Sequence, residues 1–195
     1  MQTPTHIVAG MLIQKAFQGK HRTASLTATA VVGFLSHGFL DKLSRVTFHP
    51  ADPDFHSVFW VSYHLTLLTI AIVFLCRWWR QYKWGIVFAN LADVDWVFLH
   101  AQEIIKYFFH VQVSFYRQPY LHHLLGFIYE RIPPFSFITR CIDRLPNERH
   151  NPWACLWEVL LVAAMLVAFW LLTLAKSYRP GDIAPKCEPP NNAPQ

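Results

Sequence analysis

Two ionisable side chains lie four residues apart inside a long apolar stretch near the start of the chain. In "GFLSHGFLDKL" (33–43) the histidine is His37 and the aspartate is Asp41. Positions i and i+4 share one helix face, so the pair could bind one metal ion, or the carboxylate could orient the imidazole. Ionisable groups within apolar spans are costly and usually face an interior cavity, so the pair indicates a functional site.

A second acidic pair follows in "NLADVDWVF" (90–98), where Asp93 and Asp95 are two residues apart. On a regular helix these two carboxylates point roughly 200° apart. Both could serve one site only if the helix is broken there. Otherwise one is a ligand, and the other orients a ligand or caps a helix.

The composition indicates a membrane protein. Of 195 residues, 53% are hydrophobic, 16% are aromatic and only 15% are charged, compared with about 25% charged residues in soluble domains. In such a protein the net charge of +5 fits cytoplasmic loops and anionic lipid better than it fits nucleic acid. We therefore expect membrane lipids, and no nucleic acid, among the partners.

The apolar segments predict an all-α fold, a polytopic membrane helical bundle with about four spanning helices, since a span needs about 20 mostly apolar residues. Thr5–Phe17 is too short to span and predicts a half-buried or re-entrant helix. The mixed region Ala101–Pro152 predicts one or two interfacial helices. We expect one membrane domain over residues 1–178 and a disordered Pro-rich tail over 179–195. The predicted spans are Ser25–Leu43, Ser57–Cys76, Trp84–His100 and Trp153–Lys176.

Basic residues predict the orientation of the chain. They cluster in "GKHR" (19–22), in "RWWRQYK" (77–83) and at the start of the tail. With four spans these segments fall on one side, which the positive-inside rule makes cytoplasmic. We therefore expect a multi-pass protein of a bacterial inner membrane with a cytoplasmic C-terminus.

This layout brings the ionisable residues to one depth near the outer side. His6 joins them if the first helix dips in from outside. The residues expected there are His37, Asp41, His64, Asp93, Asp95, His100, His122 and His123.

Three stretches resemble the membrane-bound metal-dependent hydrolase family, the YdjM-like proteins. "TPTHIVAGMLI" carries Thr5 and His6, which resemble that family's N-terminal motif. "SHGFLD" (36–41) resembles its "sHxxLD" motif, and "LADVD" (91–95) resembles "LPDxD", with Ala92 in place of proline. "LHHLLG" (121–126) could stand where the family has a His-rich motif. The resemblance implies an integral-membrane hydrolase that depends on a metal ion.

The first hypothesis is therefore hydrolysis by a metal-activated water, acting on a phosphoester or ester of an amphiphilic, lipid-like substrate. Mixed imidazole and carboxylate ligands suit Zn²⁺, Mn²⁺ or Fe²⁺. Asp95 and His123 are the expected catalytic residues, with Asp95 acting as a general base or as an orienting group. The expected metal ligands are His6, His37, Asp41, Asp93 and His122.

Two other hypotheses use the same residues. His37 and His64 on adjacent spans could be the axial ligands of a haem, although Asp41 is a poor neighbour for a porphyrin. Alternatively, the polar cluster could be a proton or cation relay, or a structural metal site in an assembly factor.

Overall fold

The computed structural model describes residues 2–19, 21–50, 56–110 and 116–177, and all regular structure in these ranges is helical, which confirms the all-α prediction. Short 3-10 turns precede α4 and α7 and follow α2. The predicted tail, 179–195, lies outside the described residues. The helices are α1 Thr3–Phe17, α2 Arg22–Leu43, α3 Val58–Ala89, α4 Val94–Phe109, α5 Tyr120–Arg131, α6 Phe135–Ile142 and α7 Cys155–Ser177.

Three helical segments are long and apolar enough to cross a membrane: Arg22–Val46, Val58–Ala89 and Pro152–Lys176. In the last two, only 6% of the most apolar window is buried by protein. Leu65 and Leu160, for example, are each 59% exposed. Because such a continuous apolar surface is unfavourable in water, these helices indicate a membrane protein.

The first helix, α1, lies at the centre of the bundle and packs against α2, α3 and α7. All residues from 4 to 11 are buried. A helix of 15 residues is about 22 Å long, which is shorter than the roughly 30 Å hydrocarbon core of a bilayer. α1 is therefore a short helix enclosed by longer ones, which agrees with the prediction that it is too short to span.

Two glycines allow α1 and α3 to touch backbone to backbone. A Cβ atom added to Gly10 would lie 2.3 Å from the carbonyl oxygen of Gly85, and one added to Gly85 would lie 2.0 Å from that of Gly10. Small residues permit this close approach in membrane bundles, where packing replaces the hydrophobic effect as the attraction between helices. The crossing brings α3 directly against the helix that carries His6.

α3 bends at Tyr82, whose backbone leaves the helical region with φ −123° and ψ 21°. Before the bend, α3 runs in the same direction as α1. The Gln2 side chain lies 3.5 Å from Nε2 of His64, and the Gln14 side chain donates to the carbonyl of Gln81.

After the bend the chain turns back along α1. Gly85 lies against Gly10, and Asn90 shares a cavity wall with Thr3. Ile86 also belongs to the same apolar cluster as Ala71, whereas a straight helix would separate these two residues by about 22 Å. The last turns of α3 therefore return towards the start of α1.

The structure differs from the prediction in two segments. The predicted loop "RWWRQYK" (77–83) is helical, and the direction of the chain changes within it, at Tyr82. The predicted span Trp84–His100 is divided among the end of α3, the 3-10 turn Leu91–Asp93 and the start of α4. The two acidic residues, Asp93 and Asp95, thus lie at a break between helices.

A buried carboxylate on α7 anchors the first turn of α1. Glu158 is 3% exposed. It accepts hydrogen bonds from the backbone N–H of Gln2 at 2.9 Å, from the Thr5 hydroxyl at 2.6 Å and from the Tyr63 hydroxyl at 2.9 Å. The sequence analysis did not select Glu158, although a carboxylate in the most apolar predicted span was a usable signal. These bonds tie α1, α3 and α7 together beside His6.

The region predicted to hold interfacial helices contains α4, α5 and α6. α5 packs on α2 at Gly38, where an added Cβ would meet the Tyr129 ring at 2.8 Å. The Tyr129 hydroxyl donates to the carbonyl of Leu35 at 2.7 Å. α5 is thus fixed on the face of α2 that carries His37 and Asp41.

Candidate metal centre

Five side chains from four parts of the chain meet where α1 begins and α2 ends. We call them the His/Asp cluster. His6 comes from the first turns of α1, and His37 and Asp41 come from the end of α2. Asp93 ends the 3-10 turn before α4, and His122 lies in the first turn of α5. All five were predicted as metal ligands from the sequence.

The distances within the cluster fall in the range expected of metal ligands, in two overlapping groups, one of His6, His37 and Asp93 and one of His37, Asp41 and His122. Nε2 of His37 lies 3.1 Å from Oδ2 of Asp41 and 3.6 Å from Oδ1 of Asp93. Oδ1 of Asp41 is 3.4 Å from Nε2 of His6, and its Oδ2 is 3.7 Å from Nε2 of His122. Ligands bound at about 2.1 Å lie about 3.0–3.4 Å apart at right or tetrahedral angles. The donor atoms are therefore spaced nearly as a coordination sphere requires.

His37 is oriented as metal-binding histidines usually are. It is fully buried, and its Nδ1 lies 2.8 Å from the carbonyl oxygen of Ala89. That carbonyl can only accept, so Nδ1 carries the proton and Nε2 presents a lone pair to the cluster. Within the described part of the chain, the polar neighbours of Nε2 are the carboxylate oxygens of Asp41 at 3.1 Å and Asp93 at 3.6 Å.

His6 is also buried, with 1% exposure, and its ring stacks on that of His37 with centroids 4.1 Å apart. Neither of its ring nitrogens has a hydrogen-bond partner among the described residues. Burial lowers the pKa of His6 to about 4, which keeps the imidazole neutral, the form that binds metals. Because an unpartnered buried nitrogen is unfavourable, a cation between His6 and His37 would stabilise this arrangement.

Asp93 provides a second sign that a cation belongs here. Burial, together with the nearby Asp41 carboxylate, raises its pKa above the ordinary value. Two carboxylates that share one site repel each other unless a positive charge lies between them. Asp41 is 33% and Asp93 38% exposed, so the cluster is open on their side.

Asp95 lies outside the cluster and holds His122 in place. It is fully buried and accepts a hydrogen bond from the Tyr116 hydroxyl. Its Oδ2 is 2.9 Å from the backbone nitrogen of His122 and 3.1 Å from Nδ1 of the same residue. Burial alone would raise the pKa of Asp95, but the hydrogen bonds from Tyr116 and His122 outweigh it and lower that pKa.

The result is a carboxylate–histidine pair with Nε2 of His122 directed at Asp41. Such pairs fix the tautomer of a metal-binding imidazole. The Trp96 indole N–H also donates to this Nε2 at 3.2 Å, so Trp96 must move if His122 is to bind an ion through Nε2.

The break before α4 explains how two carboxylates at i and i+2 serve one site. Asp93 ends the 3-10 turn and faces His37, whereas Asp95 lies in the first turn of α4 and faces His122. Both residues were predicted to serve one site only if the helix is broken there. Their spacing alone did not decide which carboxylate would face an ion and which would orient a ligand.

Other predicted residues lie outside the cluster. His123 is exposed, and its backbone amide bonds to the Pro119 carbonyl. Nδ1 of His64 lies 2.7 Å from the Trp60 carbonyl oxygen, and the His100 ring stacks on Trp96 at 6.3 Å. The catalytic role of His123 stays a prediction.

Replacing Asp95 with asparagine tests the orienting role. Asparagine keeps the size but offers one acceptor oxygen, so it cannot accept from Tyr116 and from both nitrogens of His122. We expect Asp95→Asn to lower metal affinity roughly 10–100-fold, as losses of such outer partners usually do. Competition with a metal-binding dye would measure this. Asp143→Asn, an exposed aspartate on α6's C-terminal side, is the matched control. Equal affinities for the two variants would contradict the orienting role.

No family model, no curated protein and no solved structure matches this chain.

Proposed function

We propose that this protein is an integral-membrane metal-dependent hydrolase, acting on a phosphoester or ester of an amphiphilic substrate. The observation that supports it most is the His/Asp cluster, in which three imidazoles and two carboxylates converge and the two most buried imidazoles, His6 and His37, face carboxylate oxygens. Three nitrogen and two oxygen donors suit Zn²⁺, Mn²⁺ or Fe²⁺. The resemblance of "SHGFLD" (36–41) and "LADVD" (91–95) to membrane-bound metal-dependent hydrolases points the same way.

A divalent ion in this cluster would lower the pKa of a water molecule and polarise a phosphoryl or acyl oxygen. The chain's own residues have distinct tasks. His37 and Asp41 of α2, together with Asp93 of the turn before α4, would hold the ion. Asp95 keeps the proton of His122 on Nδ1. In the net reaction the water oxygen bonds to phosphorus or to the acyl carbon. The ester bond breaks, and the departing oxygen takes a proton from water.

The contacts of Asp95 favour one of its two predicted roles. A general base needs a free lone pair beside the attacking water. Asp95 is fully buried and already accepts bonds from Tyr116 and His122. We therefore assign it the task of positioning His122. The more exposed carboxylates, Asp41 and Asp93, face the open side of the cluster.

The arrangement of basic residues supports the predicted multi-pass topology with a cytoplasmic C-terminus. The Lys176 ammonium at the end of α7 donates to backbone carbonyls at the end of α1, including that of Gln18 at 3.0 Å. Arg22 begins α2 at this end, and Arg80 and Lys83 flank the bend in α3. The His/Asp cluster lies at the opposite end. We propose from the positive-inside rule that the end with Lys176 and Arg22 is cytoplasmic. Lys42 and Arg149 lie beside the cluster, at the other end.

The haem hypothesis receives less support than the metal-ion hypothesis. Nε2 of His37 faces carboxylate oxygens at 3.1 and 3.6 Å, and hard oxygen donors suit a divalent ion. A structural ion or a relay remains the alternative reading if the cluster binds an ion without hydrolysis.

Chelation and refilling would test the proposal. We expect detergent-purified protein to hydrolyse a panel of long-chain chromogenic phosphate and carboxylic esters. Activity should fall at least 100-fold after chelation and return with one of Zn²⁺, Mn²⁺ or Fe²⁺. Asp41→Asn, refilled in the same way, should stay inactive because it weakens the ligand shared by three imidazoles. An absorbance scan should show no Soret band. Activity that survives chelation, or metal-loaded protein without activity on any ester, would contradict the hydrolase.

A further inference from the structure

Two cavities of different character adjoin the His/Asp cluster. The smaller one, about 250 Å³, is lined by Asp41 and His122 of the cluster and by the basic residues Lys42 and Arg149. We call it the cationic pocket. The larger one, about 860 Å³, contains Asp93 of the cluster and is otherwise mostly apolar. We call it the apolar groove.

The charges of the cationic pocket favour an anion. The carboxylates of Asp41 and Asp93 balance the charge of one divalent ion, so the cluster itself has little net attraction for an anion. Arg149 and Lys42 add two positive charges beside it. Lys42 shares part of its charge with Glu130 at 3.2 Å. Among the described residues, the Arg149 guanidinium donates to a neutral group, the Ser44 hydroxyl, at 3.3 Å.

This charge distinguishes between the two ester classes of the proposed function. A carboxylic ester carries no net charge before it reacts, so a guanidinium beside its carbonyl adds little to the binding of the ester. A phosphate ester carries one or two negative charges, and guanidinium and ammonium groups recognise them through charged hydrogen bonds. The cationic pocket therefore fits a phosphoryl group bound next to the ion.

The apolar groove fits a hydrocarbon chain. Its walls include Leu75, Trp79, Ile86, Val97 and Ile104. Its volume lies within the range of cavities that bind small amphiphiles. It is an open groove on the α3–α4 surface, where the apolar helices indicate a membrane. A chain that enters from lipid therefore stays in an apolar medium.

The two cavities adjoin the same cluster. Asp41 in the pocket and Asp93 in the groove both lie within 3.6 Å of the same nitrogen, Nε2 of His37. Trp96, a wall of the groove, also donates to His122, a wall of the pocket. One molecule with a charged head and an apolar tail could therefore occupy both cavities with its head at the ion.

We infer that the ligand of this site is a phosphate ester of a long-chain amphiphile, with its phosphoryl group held by Arg149 and Lys42 and its hydrocarbon chain in the apolar groove. This inference rests on the proposed function for the reaction, but not for the binding. Hydrolysis would form a bond from the water oxygen to phosphorus and break the bond from phosphorus to the alkyl oxygen. The released alkyl oxygen would take one proton of the attacking water and leave as the alcohol.

Binding of dodecylphosphonate, whose C–P bond resists hydrolysis, tests the inference on the full chain in detergent. Its affinity can be followed by calorimetry on zinc-refilled protein. Dodecyltrimethylammonium, with the same tail and a positive head, should bind at least tenfold more weakly. Methylphosphonate and inorganic phosphate should bind weakly, because they lack the tail. Phosphate that binds as tightly as dodecylphosphonate would instead indicate a soluble substrate and overturn the inference.

Variants distinguish the contributions of the two cavities to binding. We expect Arg149→Gln combined with Lys42→Gln to weaken dodecylphosphonate roughly 10–100-fold, since each removes a charged hydrogen bond. Ala101→Phe, which fills the groove, should weaken dodecylphosphonate at least tenfold and leave inorganic phosphate unchanged. Arg144→Gln and Ala164→Phe, both at exposed positions, are the matched controls. Equal effects of test and control variants would overturn the inference.

The same samples show whether the ligand assignment is wrong or the proposed hydrolysis is wrong. If dodecylphosphonate shows the expected pattern but no ester is hydrolysed, the ligand assignment stands and the proposed reaction falls. If esters are hydrolysed but binding ignores Arg149 and Ala101, the reaction stands and the ligand assignment falls. Metal content should be measured on each variant, to establish whether the variant still binds the ion.

Discussion

His37→Ala is expected to remove the bound metal ion, lowering the metal content of purified protein from about one ion per chain to nearly none. His37 lies at the centre of the cluster, because its Nε2 faces both Asp41 and Asp93. Loss of a partner that merely orients a ligand costs roughly 10–100-fold in affinity. Loss of the ligand itself should therefore cost more than about 100-fold, and hydrolysis should fall with it.

Elemental analysis of wild type and variant would measure the effect. His64→Ala is the matched control, since His64 also lies on an apolar helix, α3, but its Nδ1 bonds to the Trp60 carbonyl. Unchanged metal content in His37→Ala would mean that the cluster is not the metal site. Equal loss in His64→Ala would instead indicate a general effect on the fold.

Gly10→Ala is expected to destabilise the whole bundle, because the new methyl group would meet the backbone of Gly85 at 2.3 Å. Backbone cannot rotate away as a side chain can, so α1 and α3 must separate. Overpacking usually costs about 1–3 kcal/mol and occasionally more. Because α1 also carries His6, we expect weaker metal binding together with a lower melting temperature.

Thermal unfolding in detergent, with and without added metal, would measure both effects. Gly126→Ala is the matched control, because an added Cβ there meets no atom within 4 Å. Since alanine favours helix over glycine by about 1 kcal/mol, Gly126→Ala should be neutral or stabilising. A melting temperature for Gly10→Ala at or above that of wild type would contradict the backbone contact between the two helices.

Much of the site could be predicted because helix geometry and apolar run lengths constrain it strongly. His37 and Asp41 share a face through their spacing alone. His6 was placed near them because the short first helix was expected to enter the membrane from the same side. In the structure, Oδ2 of Asp41 lies 3.1 Å from Nε2 of His37, and Oδ1 of Asp41 lies 3.4 Å from Nε2 of His6.

The remaining details depend on local backbone events that the sequence marks weakly. The turn that separates Asp93 from Asp95 contains neither proline nor glycine. Tyr82, where α3 bends, is likewise an ordinary helical residue by type. The choice between His122 and His123 depends on where α5 begins, because neighbouring helical residues point about 100° apart. Contacts over long sequence distances, such as Glu158 with Thr5, have no local signal other than the cost of a buried charge.

The anchor on Glu158 also has a consequence for the biogenesis of the protein. All five donors of the cluster lie in residues 6–122, so they are synthesised and inserted before α7. The carboxylate that holds Thr5, the neighbour of His6, comes from residue 158. A nascent chain therefore possesses every donor but lacks the bonds that fix the first of them. The position of α1 beside His6 is fixed only when the last helix docks against the first.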